Sequence, residues 1–208
     1  MNLISLSLKT NQIIMKKCVL IFALAFLGTN AFAQDIDAIG KLYNDKKYAD
    51  AKTAIDKFLA DTKNANNADA WYFKGRIYNS LAAEATTPKA QAFEYRLKAF
   101  EAYQNNQKYD AKDLRLKVDM WVPYLEIYAG LYDLGAAQFN DEDYESSLNS
   151  FAKALEVENF ILAKKYEYSQ IKLHALDTAL VLNAAVAATQ SKKNDEAMMY
   201  YKKITDAN

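Results

Sequence analysis

The stretch Leu131–Asn159, LYDLGAAQFNDEDYESSLNSFAKALEVEN, reads as two helices joined by a short acidic turn. Counted from Gly135, Leu131 lies four positions before, Tyr144 nine after, Ser147 twelve, Phe151 sixteen and Ala154 nineteen. Small residues at fixed places on both segments let two helix backbones come close, while larger residues three and four positions away fill the flanking grooves. Asp141, Glu142 and Asp143 precede the second helix, where acidic groups complement the helix dipole.

The pattern recurs. In NADAWYFKGRIYNSLAAE, Trp71 lies four before Gly75 and Tyr78 three after it. In TALVLNAAVAATQSKKNDEAMMYYKKI, Val181 and Ala185 take the first two roles, followed by Ala197, Tyr201 and Ile204 twelve, sixteen and nineteen residues after Ala185. AIGKLYNDKKYADAKTAIDKFLAD matches through Tyr48, Ala51, Ile55 and Phe58. A two-helix unit that recurs at about 34 residues predicts a solenoid, because one hairpin cannot cover its own apolar face and stacked neighbours can. The expected units span about 35–62, 68–107, 128–160 and 178–208 within a 34–208 domain. Only 5 Gly and 2 Pro in 208 residues agree with an all-α chain.

These segments resemble tetratricopeptide repeats, and the whole is similar to exported bacterial proteins that carry several such repeats behind a leader ending in Ala-Phe-Ala-Gln. The resemblance implies a right-handed α-solenoid of about four hairpins, whose first helices line an inner groove that takes a protein or peptide partner. Carried onto this chain, the groove-facing positions are Tyr43 and Asn44, then Tyr72, Arg76 and Asn79, then Tyr132, Ala136 and Phe139, then Leu182, Val186 and Thr189. Members that clamp a peptide C-terminus use Lys, Asn and Arg at places held here by Tyr72 or Phe73, Arg76, Asp133 and Asn183. Only Arg76 and Asn183 suit that role, which argues against such a clamp. Tyr72, Arg76 and Tyr132 together are the strongest anchors, since tyrosine combines contact area with a polar tip.

Two departures from the repeat stand out. Gly75 and Ala99 are 24 apart where the other units have 12, with the excess expected around AAEATTPKAQ and Pro88 in a first helical turn. Lys108–Tyr124 lengthens the approach to the third unit, with Pro123 either in a first turn or at a kink. Each departure is a spacer or a partner-contacting elaboration. The mildly basic LRLKVDMW reads as a solvated face, and Trp71 and Trp121 as helix-packing residues. The last segment, NDEAMMYYKKITDAN, leaves Met198, Tyr201 and Ile204 for a neighbour to cover. That neighbour is a further repeat of a longer array, a partner, or a second copy of the chain.

Residues 1–33 read as a signal peptide. Lys16 and Lys17 lead into an apolar run to Leu27, and Ala31 and Ala33 suit cleavage before Gln34, with Met15 the expected start and 1–14 a misassigned extension. The run is too short to span a membrane comfortably, so no transmembrane segment is expected in the mature chain and a periplasmic or secreted location is. Lys and Arg total 26, Asp and Glu 26; removing 1–33 takes three lysines and leaves a net of −3, with no footprint for nucleic acid. The single cysteine, Cys18, leaves with the leader, excluding disulfides and thiol chemistry from the mature chain. His174 stands alone, within a helical step of Asp177, without a second His or Cys for a metal site or a nucleophile–base pair. The Asp141–Glu145 carboxylates lack the spacing of a calcium loop. No catalytic residue, cofactor or metal is expected. The reading is an exported, non-enzymatic scaffold or adaptor, with a structural component of an envelope complex, docking through its C-terminal face, as the alternative.

Overall fold

A computed structural model describes residues 35–166, 168, 173 and 177–206. The expected leader with Cys18, and His174, lie outside them. All regular structure among the described residues is helical: α1 (35–44), α2 (Tyr48–Ala60), α3 (Ala68–Ala83), α4 (Lys89–Tyr109), α5 (Leu114–Val118), α6 (Val122–Asn140), α7 (Tyr144–Lys164), α8 (Thr178–Gln190) and α9 (Asn194–Thr205). The described residues are therefore all-α, as composition and spacing predict. α3–α4, α6–α7 and α8–α9 pack as hairpins, and α2 lies on α3, α4 on α6 and α7 on α8. Ile36 and Ile39 of α1 join Ala51, Ile55 and Phe58 of α2 and Ala70, Ile77 and Leu81 of α3 in one buried cluster. A second cluster runs from Tyr72 through Tyr103, Tyr124 and Phe151 to Ala197 and Tyr200.

The small residues do what the spacing requires. Ser147 donates its hydroxyl to the Gly135 carbonyl at 2.8 Å, and Ser147 is fully buried. A methyl at Gly135 would meet the Phe151 ring at 2.7 Å, and one at Gly75 would meet the Tyr103 ring at 2.5 Å. Each ring lies four residues after the small residue of the second helix, spread across the glycine of the first. In α8–α9 the place of the glycine is taken by Ala185, whose Cβ fills that space. There Tyr201, sixteen residues on, is turned out and 40% exposed, and Tyr200 enters the core instead.

The extra twelve residues of the α3–α4 hairpin are mostly helix, not loop. α3 runs eight residues past Gly75, where α6 runs five past Gly135. α4 begins ten residues before Ala99, where α7 begins three before Ser147. The connection itself grows only from 141–143 to 84–88, with Pro88 as the residue before α4. The third hairpin also exceeds its expected bounds at both ends. Pro123 sits in the first turn of α6, where its missing N–H costs nothing. Trp121 packs on the main core cluster, but from outside a helix: it precedes α6 in left-handed conformation and stacks on Tyr166, centroids 4.1 Å apart. Arg115 is not merely solvated, since its Nε pairs with Asp69 Oδ1 at 2.5 Å at the start of α3.

Three turns share one geometry that the spacing does not announce. Residues 45–47, 141–143 and 191–193 each connect a hairpin, and the middle residue of each is left-handed: Lys46 (φ 58°), Glu142 (φ 64°) and Lys192 (φ 62°). In each, the following N–H bonds back to a carbonyl five residues earlier, Lys47 to Leu42, Asp143 to Gln138 and Lys193 to Ala188, at 2.9–3.0 Å. This is the helix-ending bond that glycine usually enables. Asn67, Asp143 and Asp177 start α3, α7 and α8 by accepting from Ala70, Ser146 and Leu180 N–H groups.

Two substitutions separate packing from turn strain. Gly135→Ala is expected to lose stability by up to about 2 kcal/mol, since overpacking costs about 1–3 kcal/mol against the roughly 1 kcal/mol that alanine gains in a helix. Glu142→Gly is expected to gain about 0.5–1 kcal/mol by removing the left-handed penalty. Urea unfolding monitored by helical signal checks both signs.

Candidate functional site

A groove of about 700 Å³ lies between α3 and the start of α6, with α1 and α4 contributing. Tyr43 of α1 and Arg76, Asn79, Ser80 and Ala83 of α3 form one side. Asp119, Val122, Glu126 and Asp133 form the other, and Arg96, Tyr103 and Gly130 lie between. Arg76 holds its guanidinium over the Tyr43 ring, 4.6 Å from the centroid, and donates to the Tyr72 hydroxyl at 3.4 Å. The Tyr72 hydroxyl in turn donates to Asp119 Oδ2 at 2.5 Å. Burial and then the Asp119 carboxylate push the Tyr72 phenol up to about 12, so it stays a donor at every physiological pH.

The floor is a polar lock supplied by the lengthened part of α4. Arg96 is 8% exposed; its guanidinium donates to Asn79 Oδ1 and, at 3.4 Å, to the Glu126 carbonyl. Asn79 passes the link on by donating to Glu126 Oε2 at 2.9 Å. Gly130 is needed here, because any Cβ would collide with the Arg96 guanidinium. Desolvation, opposed by Arg96 and Arg76, leaves the Glu126 carboxyl above the ordinary glutamate value. Asp133 stands exposed at the rim and takes part in no ion pair among the described residues. Glu126 and Asp133 are seven residues apart in α6, two helical turns, so they share one face, and Asp119 joins that wall from the turn before α6.

A second, smaller groove of about 240 Å³ lies between α6 and α8, lined by Ala136, Phe139, Asn140, Phe151, Leu182, Asn183 and Val186. Asn183 donates to the Tyr132 hydroxyl at 3.1 Å across it, and Tyr132 packs edge-on against Phe151. The eight residues proposed from sequence therefore divide. Tyr43, Arg76 and Asn79 meet in the large groove; Phe139, Leu182 and Asn183 meet in the small one, with Tyr132 tied to it. Tyr72 differs from the expectation: its ring is core, 4% exposed, it does not line the large groove, and it borders instead a separate opening with Arg115 and Asp119. Arg96, Asp119, Glu126 and Asp133 were not among the sequence candidates. The seven-residue spacing of Glu126 and Asp133 was the available signal for that wall. Among the described residues no group of three or more His, Cys, Asp or Glu is placed to hold a metal ion, and no helix is long and apolar enough to cross a membrane.

One carboxyl with a strong shift lies away from both grooves. Glu158 of α7 is 2% exposed and its Oε1 has no hydrogen-bond partner. Burial and then the negative Asp177 hold it at about 7. Asp177 is itself engaged, capping α8 and accepting from the Tyr128 hydroxyl at 2.6 Å. Glu158 thus belongs to the α6–α7–α8 contact rather than to an accessible site.

No protein-family model matches this chain, and no curated protein matches it.

The Glu158 shift has a definite sign. Its folded value lies above the ordinary 4.5, so its full contribution to stability is present below 4.5 and is lost as pH rises to and through about 7. Glu158→Gln is expected to be near neutral at pH 4.5 and stabilising by on the order of 1–3 kcal/mol at pH 8. Urea unfolding of both forms across that range checks it.

Proposed function

We propose that this chain is an exported, non-enzymatic scaffold whose hairpins stack as a right-handed tetratricopeptide-like solenoid and hold a protein or peptide partner in the groove between α3 and α6. One observation carries the reading: side chains from α1, α3, α4 and α6, drawn from three successive hairpins, converge on a single groove of about 700 Å³. That volume suits a short peptide segment rather than a flat docking contact. The repeat spacing, the three identical hairpin turns and the packing of each hairpin on the next support the stacked arrangement. The leader-like residues 15–33 support export.

The residues have distinct roles in this proposal. Arg76, pre-positioned on Tyr43, offers guanidinium N–H groups to backbone carbonyls of an extended segment. Asp133 and Glu126 on the opposite wall favour a segment that carries a lysine or arginine. Arg96 and Asn79 keep the floor rigid and touch the partner little. The groove selects by shape and a few polar contacts, so affinity rests on two or three anchors.

The test is capture from the native envelope fraction with wild-type protein and with Arg76→Glu/Asp133→Lys, which reverses one half-buried and one exposed charge of the groove. Partners identified by mass spectrometry are expected to be retained by the wild type and reduced at least tenfold by the variant, at equal helical content. Equal recovery by both would remove this groove from the binding role.

A further inference from the structure

A different face of the molecule carries its own reading. In α9, Ala197 and Tyr200 point inward and are each 5% exposed. Asp195, Met198, Met199 and Lys202 follow one another at intervals of three, one and three residues and form the opposite, outward stripe. Met198 is 69% and Met199 47% exposed, an unusual investment of adaptable apolar surface facing water. Asp195 and Lys202 are exposed, and neither takes part in an ion pair among the described residues.

The arrangement is complementary to itself. When two helices lie antiparallel about a two-fold axis, residue i of one meets residue j of the other with i + j constant. Placing the axis between Met198 and Met199 sets Met198 against Met199 of the second copy. The same register sets Asp195 against Lys202, twice, once at each end of the contact. The antiparallel helix dipoles also lie favourably. No other register satisfies the apolar pair and both charge pairs at once. We propose that the outward stripe of α9 is a homodimer contact, with the second copy bound antiparallel through Met198 and Met199 and clamped by two Asp195–Lys202 pairs. The contact spans only three turns of helix, below the size of a permanent interface, so the dimer is a weak, reversible one.

Sedimentation equilibrium of the full chain from about 5 µM to about 1 mM tests this, with sites for charge reversal at the stripe. Wild type is expected to pass from monomer to dimer within that range, with association weakened by salt. Lys202→Asp and Asp195→Lys, each placing like charges face to face, are each expected to weaken association at least tenfold at unchanged helical content. An equimolar mixture of these two variants is expected to dimerise again, since each then meets the opposite charge; so is the double variant Asp195→Lys/Lys202→Asp alone. A wild type that stays monomeric throughout, a dimer indifferent to the single reversals, or a mixture that stays monomeric would each overturn the proposal.

Discussion

The closest approach of two helix backbones governs this structure. At Gly135 and Ser147 the hairpin closes until a hydroxyl reaches a carbonyl of the facing helix, and an aromatic ring is laid over the bare glycine. At Gly75 the same ring position is filled by Tyr103. The glycine is not there for a turn or an unusual dihedral; it is there because a ring occupies the space of its side chain. Both contacts sit inside one continuous apolar cluster, so the spacing between successive hairpins follows from how tightly each one closes. Ala185 shows the limit of the rule. Where a methyl is present, the facing tyrosine is displaced from sixteen residues on to fifteen, and the side chain it replaces is left in solvent.

The helical class and the pairing of helices were legible because they depend on periodicity, and periodicity survives substitution among residues of similar size. The turns were less so. Lys46, Glu142 and Lys192 adopt a conformation that favours glycine, so residue type gives no hint of it. Their shared geometry is imposed by the hairpins: packing tight enough to bring the two helices together overrides a local penalty of about 1 kcal/mol. A sequence reading tuned to turn chemistry sees only polar residues there. The misplacement of Tyr72 has a related cause. One hundred degrees per residue separates core from groove by one position, and the ring of Tyr72 falls on the core side while Arg76 clears it. The stack of Trp121 on Tyr166 joins parts of the chain that no local pattern connects.

The groove owes its depth to the irregular hairpin rather than to the repeat. A regular unit would begin α4 near residue 96, and Arg96 would then stand at a frayed helix end. Seven added residues place it a full two turns inside α4, where its guanidinium is held by Asn79 and the Glu126 carbonyl. Gly130 then leaves room on α6 for that guanidinium. The lengthening therefore acts on the site, setting a charged but locked floor between walls that keep free donors and acceptors. This is why local sequence does not decide between a spacer and a partner-contacting elaboration: the consequence of the insertion appears on α6, more than thirty residues away.

The two proposed surfaces occupy different elements, and that separation has a physical consequence. The large groove uses α1, α3, α4 and the start of α6, whereas the Met198–Met199 stripe lies on α9. Pairing through α9 leaves both grooves unobstructed by the contact itself, so a dimer displays two. A groove with few anchors binds a single short segment weakly. Two grooves on one particle, presented to a partner that repeats or lies at a surface, raise the effective concentration for the second contact. A weak dimer and a weak groove then reinforce each other: occupancy of both grooves by one partner stabilises the dimer by the same factor that the dimer strengthens the binding. Association at α9 and capture at α3 and α6 would be coupled through the partner without any conformational change in the chain.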